Sequence, residues 1–216
     1  MKYSKRMNRA VHAVLWSVMS LGAATAVHAE DMPIVDHSKM DHSQHHHEGM
    51  QMNGSIKKSM LDVALPNVRM VRQDGSAQPS AGVINSGKPT VLAFIYTSCT
   101  SVCPLTSQIM SQVQDLLGTD AGTRLVSVSI DPEYDTPARL LDYSKRYGAM
   151  PQWQHYTGTL ADSVAIQKAF TAFQGDKMNH LPLIFVNGGG KKSWVRMDGF
   201  PTAQEVVKEL KGQIGS

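Results

Sequence analysis

Two cysteines, Cys99 and Cys103, stand four positions apart at the predicted junction of a buried strand and a helix. This spacing brings two thiols together once the segment turns helically, and the amino end of a helix favours thiolate over thiol. Two thiolates can close a disulfide or hold a soft metal ion. A structural disulfide is the ordinary alternative in an exported protein, but so short a loop would constrain the unfolded chain only weakly. A functional pair is therefore the favoured interpretation.

A second group of potential ligands lies in segment 30–53, a low-complexity stretch rich in histidine and methionine. Imidazole and thioether groups together suit copper, and thioether sulfur suits Cu(I) in particular. The segment has no apolar periodicity and is predicted to be disordered, with a linker that extends to residue 58. The alternative is a solvated leader that binds metals incidentally. The candidate accessory ligands are His37, Met40, His42, His45, His46, His47, Met50 and Met52.

The elements that must position these residues are predicted from residue 59 to residue 216, where regular patterns begin. Continuous apolar runs predict buried strands, and apolar residues at helical spacing predict helices. The predicted strands are a hairpin that includes 68–71 and turns at Asp74-Gly75, then 91–96, 125–130, 183–186 and 193–197. The first predicted helix runs from after Pro104 to Gly118, and the second starts at Pro137. The third covers 160–173, and the last follows Thr202. This order predicts an α/β architecture with a mixed sheet, in the order of a thioredoxin-like fold.

The same patterns predict which helix faces are buried and which residues stand in turns and at helix starts. The helix after Pro104 is expected to bury its apolar residues, and the helix at 160–173 is expected to bury Phe170 and Phe173 along one face. Asp131 and Asp135 are interpreted as turn and helix-start residues. The apolar residues of the first helix are Leu105, Ile109, Val113, Leu116 and Leu117, and those of the second also include Val164 and Ala169.

A Cu(I) ion held by two thiolates needs a third donor from elsewhere in the fold. His155 and His180 are the two histidines in the part of the chain predicted to fold. His180 lies just before the strand at 183–186, and in a thioredoxin-like sheet the loop before that strand faces the cysteine loop. His180 is therefore the predicted third ligand, whereas His155 is interpreted as a structural histidine.

The net charge of +3, from 21 Lys and Arg against 18 Asp and Glu, comes from the amino terminus. Residues 1–29 contain four basic residues and no acid, which leaves 17 basic and 18 acidic residues, so nucleic-acid binding is not supported. A basic start, an apolar run and the ending Val27-His28-Ala29 predict an export signal cleaved after Ala29, rather than a retained membrane anchor. The mature chain is expected in the periplasm, as a monomer.

The chain resembles the SCO/SenC family of copper proteins over about residues 59–216. Four features carry the resemblance: a cysteine signature, an acidic segment with two prolines, a Thr-Gly turn, and a distal histidine followed by Phe and Val. In this sequence they are Thr97, Cys99, Cys103 and Pro104; residues 128–137; Thr157-Gly158; and His180 with Phe185 and Val186.

The resemblance implies a thioredoxin fold that binds one copper ion through both cysteines and the histidine, here Cys99, Cys103 and His180. It further implies delivery of copper to subunit II of cytochrome c oxidase, or, in some members, reduction of that subunit's cysteines. Two features depart from the family pattern. Asn179 stands where an acidic residue usually precedes the histidine, and the predicted leader is cleaved where members often keep an anchor.

Three functions therefore stay open. The first is a periplasmic copper chaperone, whose partners are cytochrome c oxidase subunit II or another copper protein, and other copper chaperones. The second is a thiol–disulfide oxidoreductase that uses Cys99 and Cys103 as its redox pair and does not need His180. The third is a copper buffer that acts through segment 30–53. A thiol peroxidase is disfavoured because Thr97 lies two residues before Cys99, rather than the three expected of a peroxidatic cysteine.

Overall fold

The computed structural model describes residues 56–119 and 122–215. The strands are β1 (Lys57–Asp62), β2 (Arg69–Arg72), β3 (Ala77–Pro79), β4 (Thr90–Ile95), β5 (Arg124–Ser129), β6 (Trp153–Thr157), β7 (Leu183–Asn187) and β8 (Ser193–Asp198). The helices are α1 (Ser80–Ile84), α2 (Val102–Leu117), α3 (Pro137–Arg146), α4 (Leu160–Ala169) and α5 (Ala203–Ile214). The predicted export signal at 1–29 and segment 30–53, with its eight candidate accessory ligands, lie outside the described residues.

The strands form one sheet in the order β1-β8-β7-β4-β5-β6-β2-β3. β4, β5 and β6 run parallel at its centre, and β7, β8 and β1 continue antiparallel on one side. Every residue of β4 is buried, as its continuous apolar run predicts. Val91 and Ala93 enter one hydrophobic core, and Leu92 and Phe94 enter another, because alternate side chains of a strand point to opposite faces. The predicted α/β architecture with a mixed sheet is confirmed.

The predicted amino-terminal hairpin is confirmed as the antiparallel pair β2 and β3. Its turn contains Asp74, whose carboxylate accepts the Ser76 N–H at 2.9 Å, and Gly75, whose φ of 85° suits glycine. The sequence pattern does not predict β1, which pairs with β8 at the edge of the sheet. Most residues of β1 are exposed, so the strand lacks the apolar run that marks the central strands.

The predicted apolar face of helix α2 is partly wrong. Leu105 and Leu116 are 40% and 50% exposed, whereas Met110 is fully buried. Ser107 is also fully buried, because its hydroxyl lies 2.7 Å from the hydroxyl of Tyr143 on α3. The buried face of α2 therefore includes a polar residue with a buried partner, which apolar spacing alone does not mark.

Helix α4 is shorter than predicted. It ends at Ala169, and Thr171 adopts a φ of 49°, in the left-handed region that stops a helix. Phe170 is buried as predicted, but Phe173 lies beyond the helix and is 37% exposed. The last helix, α5, starts where predicted, with a capping box formed by Thr202 and Glu205.

Candidate metal centre

The cysteine loop connects the carboxyl end of β4 to the amino end of α2, at the edge of the sheet where α/β folds place their sites. Cys99 lies in the loop, and its N–H donates to the Tyr96 carbonyl at 3.2 Å. Cys103 lies in the first turn of α2. The Cys103 N–H donates to the Cys99 sulfur at 3.3 Å, and both thiols are free. The fold thus brings the two cysteines together.

The two thiols differ in acidity. Burial would raise the pKa of Cys99, but hydrogen bonds from the Cys103 N–H and thiol, the Ser101 N–H and the Tyr96 hydroxyl lower that pKa to about 7. Cys103 is fully buried, which raises its pKa, and its hydrogen bond to Cys99 raises that pKa further. At neutral pH Cys99 is therefore the more readily ionised sulfur and Cys103 is its thiol partner.

The carboxylate of Asp135 fixes the start of the cysteine loop. It is fully buried and accepts the Thr97 hydroxyl at 2.5 Å, the Thr97 N–H at 3.1 Å and the Ser129 hydroxyl at 2.6 Å. Burial raises the pKa of Asp135, although the hydrogen bonds from Ser129 and Thr97 oppose the shift. Asp135 stands at the helix start as predicted, directly before Thr136, which caps α3 by accepting the Arg139 N–H. Its carboxylate also ties the end of β5 to the cysteine loop, which the sequence does not indicate.

His180 lies between a short 3-10 turn, Lys177–Asn179, and strand β7. Its Nε2 lies 3.0 Å from the backbone carbonyl oxygen of Phe94. A carbonyl oxygen can only accept, so Nε2 carries the hydrogen, and Nδ1 of the neutral ring keeps its lone pair. Burial lowers the pKa of His180 more than the Phe94 hydrogen bond raises it, so the ring is neutral at neutral pH. A neutral imidazole with one N–H held by a carbonyl is typical of a metal ligand.

Tyr96 contacts both halves of this site. Its ring meets that of His180 edge to face at 6.4 Å between centroids, and its backbone carbonyl accepts the Cys99 N–H at 3.2 Å. Among residues 56–119 and 122–215, no three His, Cys, Asp or Glu side chains form a preformed metal cluster. The structure therefore pairs Cys99 with Cys103 and places His180 against Tyr96, but it does not gather the three predicted ligands at coordination distance.

The segment that carries His180 is fastened by Lys177. Its Nζ lies 2.5 Å from the Asp131 carboxylate, in the turn that follows β5. Asp131 also accepts the Tyr134 N–H through its backbone carbonyl, which confirms it as a turn residue. His180 lines a cleft of about 240 Å³ with Ile130 and Lys177, so the imidazole borders an opening although it is only 8% exposed.

His155 lies on β6 and fits the structural interpretation. It is fully buried, with ring centroids 5.0 Å from Trp153 and 5.9 Å from Tyr143. Neither ring nitrogen has a hydrogen-bond partner, and burial lowers the pKa of His155 to about 3. This histidine is a neutral aromatic side chain of the core.

Sequence reasoning missed Tyr96, Lys177 and Met178 as residues of the site. Tyr96 ends the apolar run at 91–96, directly after β4, and directly precedes the cysteine motif, which is a signal that could have singled it out. Lys177 and Met178 lie in a polar loop without periodicity, so no pattern marks them. Met178 is 73% exposed, and its sulfur lies 3.8 Å from the Tyr96 hydroxyl.

Comparisons with known proteins identify the family and the fold of the chain. The sequence model of the family described as SCO1/SenC matches residues 68–215. A curated SCO1 protein homolog from Bacillus subtilis (strain 168) is 31% identical over 74 residues, which are 33% of this chain and 38% of that relative. The matched region therefore spans well under half of that relative's length.

Solved structures share the fold. ScoI of Bradyrhizobium japonicum with copper bound is 26% identical, with a TM-score of 0.57 over 68% of this chain and 98% of that chain. A SCO1/SenC family lipoprotein from Bacillus anthracis is 21% identical, with a TM-score of 0.62 over 72% of this chain and 98% of that chain. The predicted thioredoxin-like fold is confirmed. No helix in the described part of the chain has the length and apolar character needed to span a bilayer.

Proposed function

Because the chain belongs to the SCO1/SenC family, we propose that it is an exported copper-binding protein that carries copper to an acceptor protein. Copper is the cargo, and its proposed ligands are Cys99, Cys103 and His180. The observation that carries the proposal is the cysteine pair at the amino end of α2, beside a neutral His180 whose Nε2 is held by the Phe94 carbonyl. The similar ScoI of Bradyrhizobium japonicum has copper bound.

The donor set favours Cu(I) over other metals. Thiolate sulfur and imidazole nitrogen suit copper and zinc, whereas Ca²⁺ and Mg²⁺ prefer oxygen. Zn²⁺ takes four ligands in structural sites. Two sulfurs and one nitrogen suit the lower coordination number of Cu(I).

The acceptor and the compartment belong to the same proposal. One structural neighbour is described as a member of the Sco family of cytochrome c oxidase assembly proteins, which supports cytochrome c oxidase as the acceptor complex. Subunit II is the acceptor within it that the family resemblance implies. Another copper protein is the alternative, and other copper chaperones are candidate donors. The predicted export signal supports the periplasm as the compartment, and segment 30–53 supplies weaker accessory copper ligands.

Anaerobic Cu(I) titration against a chromophoric chelator tests the proposal. The reduced full chain should hold one tightly bound Cu(I). Cys99→Ser, Cys103→Ser and His180→Ala should each weaken that site by about 100-fold, because each removes a ligand. His155→Phe is the matched control and should keep the site. Retention of the tight site in all three ligand variants would refute the proposal.

A thiol–disulfide oxidoreductase is the second candidate, and the unequal acidity of the cysteines favours it. The Cys99 thiolate would attack a partner disulfide, form a mixed disulfide and release one partner thiolate. Cys103 would then lose its proton, attack the Cys99 sulfur and release the second partner thiolate. Two electrons pass to the partner, and Cys99 and Cys103 end as a disulfide. A His180→Ala protein with undiminished biological activity would favour this function over copper transfer.

Segment 30–53 supplies the third candidate function, that of a copper buffer. Its support is the enrichment of both ligand types in segment 30–53. Deletion of residues 30–53 should abolish copper tolerance and leave the tight site intact if buffering is the main role. If copper tolerance survives the deletion, copper buffering through segment 30–53 is excluded as the main function.

A further inference from the structure

Met178 is an exposed soft ligand at the edge of the proposed copper site. Its side chain is 73% exposed, although thioether side chains are usually buried. Its sulfur lies 3.8 Å from the Tyr96 hydroxyl. The backbone carbonyl of the same tyrosine accepts the Cys99 N–H at 3.2 Å, and its ring meets that of His180 edge to face. Tyr96 therefore connects a solvent-facing thioether with two of the proposed copper ligands, Cys99 and His180.

A hydrogen bond and an ion pair hold the backbone around Met178 in place. The short distance between the Met178 sulfur and the Tyr96 hydroxyl is therefore a feature of the fold. The Met178 N–H donates to the Asp176 side chain at 2.8 Å, which caps the 3-10 turn. The neighbouring Lys177 forms the ion pair with Asp131 at 2.5 Å. The methionine side chain itself has three rotatable bonds and adapts easily. A fixed backbone with a flexible side chain lets the sulfur swing between solvent and Tyr96.

The exposure and chemistry of these groups set the order in which an arriving copper ion meets them. Cys103 is fully buried, and Cys99 and His180 are each 8% exposed, so an arriving copper ion meets the Met178 sulfur before the proposed ligands. A thioether is neutral and soft, so it binds Cu(I) without losing a proton. A thiolate is a stronger ligand for the same ion. Copper held by Met178 would therefore move inward by ligand exchange once the Tyr96 hydroxyl turns aside.

We propose that Met178 is a capture ligand, which receives Cu(I) at the surface and passes it to Cys99, and on to Cys103 and His180. The proposal rests on the proposed copper-carrying function. Copper stays Cu(I) throughout, so no electron is transferred. The Met178 sulfur donates a lone pair and takes it back, the Cys99 thiolate forms the new bond, and any thiol proton is released to solvent.

The test compares Met178→Leu with Met60→Leu in the full chain. Met60 lies on β1 and is 61% exposed, so its replacement controls for loss of an exposed methionine. Stopped-flow absorbance of the Cu(I)–thiolate band would follow transfer from a Cu(I)–chelator complex to each reduced protein. Met178→Leu should slow loading by about tenfold and change the Cu(I) affinity less than about twofold, because a capture ligand changes the path and not the final site. Met60→Leu should load like the wild type.

The outcomes separate the two proposals. Equal loading rates in Met178→Leu and the wild type would overturn the capture role and leave the copper site intact. A loss of affinity without a change in rate would make Met178 a resident ligand and also overturn it. Absence of the thiolate band in the wild type would refute the copper-carrying function itself. In wild-type protein labelled with ¹³C-methyl methionine, the Met178 methyl resonance, identified by its absence in Met178→Leu, should shift at the first additions of Cu(I).

Discussion

The Nε2 of His180 lies 3.0 Å from the backbone carbonyl oxygen of Phe94, the penultimate residue of β4. This contact links the histidine segment to the strand that leads into the cysteine loop. It also leaves Nδ1 as the nitrogen with the lone pair, because the carbonyl can only accept a hydrogen bond. The proposed copper chemistry depends on this tautomer and on the cysteine pair at the end of the same strand.

The acidity of Cys99 predicts which sulfur reacts first. Cys99 has a pKa lowered to about 7, whereas burial raises the pKa of Cys103. In the reduced, metal-free protein, iodoacetamide should modify Cys99 first, with a rate that rises with pH through a midpoint near 7. Mass spectrometry of quenched samples would identify the labelled residue. Faster labelling of Cys103, or a midpoint near that of an ordinary thiol, would contradict the assignment.

The buried Asp135 carboxylate predicts a loss of folding stability when one of its acceptor oxygens is replaced by an amide nitrogen. Asp135→Asn keeps the shape but aims an amide N–H₂ at donors from Thr97 or Ser129. The free energy of unfolding should fall by about 1–3 kcal/mol, since buried donors lose an acceptor. Chemical denaturation measures the change. The exposed Asp142→Asn, whose carboxylate pairs loosely with Lys145 at 3.7 Å, is the control and should change stability by less than about 0.5 kcal/mol. Equal losses of stability in Asp135→Asn and Asp142→Asn would show that Asp135 does not hold the cysteine loop to the end of β5.

His155 predicts acid sensitivity of the fold. Its folded-state pKa is lowered to about 3 from the ordinary 6.5, so the unfolded chain binds a proton that the folded chain excludes. The stabilisation is complete above pH 6.5 and is lost as pH falls from 6.5 towards 3. At pH 5 the loss is about 2 kcal/mol relative to pH 7. His155→Phe should flatten the stability profile between pH 6.5 and pH 4, measured by urea unfolding. A profile as steep as that of the wild type would show that other groups cause the acid loss.

Copper binding should order the segment that carries His180. The described residues do not form a preformed three-ligand cluster, so ligation by His180 requires its ring to move relative to the cysteine loop, and the metal then holds residues 177–180 more tightly. Hydrogen exchange should therefore slow across these residues when one equivalent of Cu(I) binds. His180→Ala should show no such slowing, although its cysteine loop still responds. Equal protection in both proteins would mean that His180 is not drawn to the metal.

The topology of the site could be predicted from the sequence, but its contacts could not. The strand at 91–96 and the start of α3 follow from strong local signals, a continuous apolar run and an N-cap followed by proline. The position of His180 before β7 follows from the strand order. Its link to the Phe94 carbonyl has no sequence signature, because every residue has such a group.

The features that the sequence does not show have a common physical cause, tertiary contacts between polar groups. Asp135 stands at the helix start as predicted, but only the fold shows that it accepts hydrogen bonds from Thr97 across the sheet edge. Ser107 lies on the buried face of α2, where its hydroxyl meets that of Tyr143. Such pairings join residues 36 and 38 positions apart in the chain, a separation that local periodicity does not reach.

Copper K-edge X-ray absorption on the reduced full chain, loaded with one equivalent of Cu(I), tests the three-ligand copper site most directly. A first shell of two sulfur donors and one nitrogen donor is expected, with the imidazole signature absent in His180→Ala. Cys99→Ser and Cys103→Ser should each lose one sulfur donor. A first shell that is the same in the wild type and in His180→Ala would contradict the proposed site, because His180 would then not be a ligand.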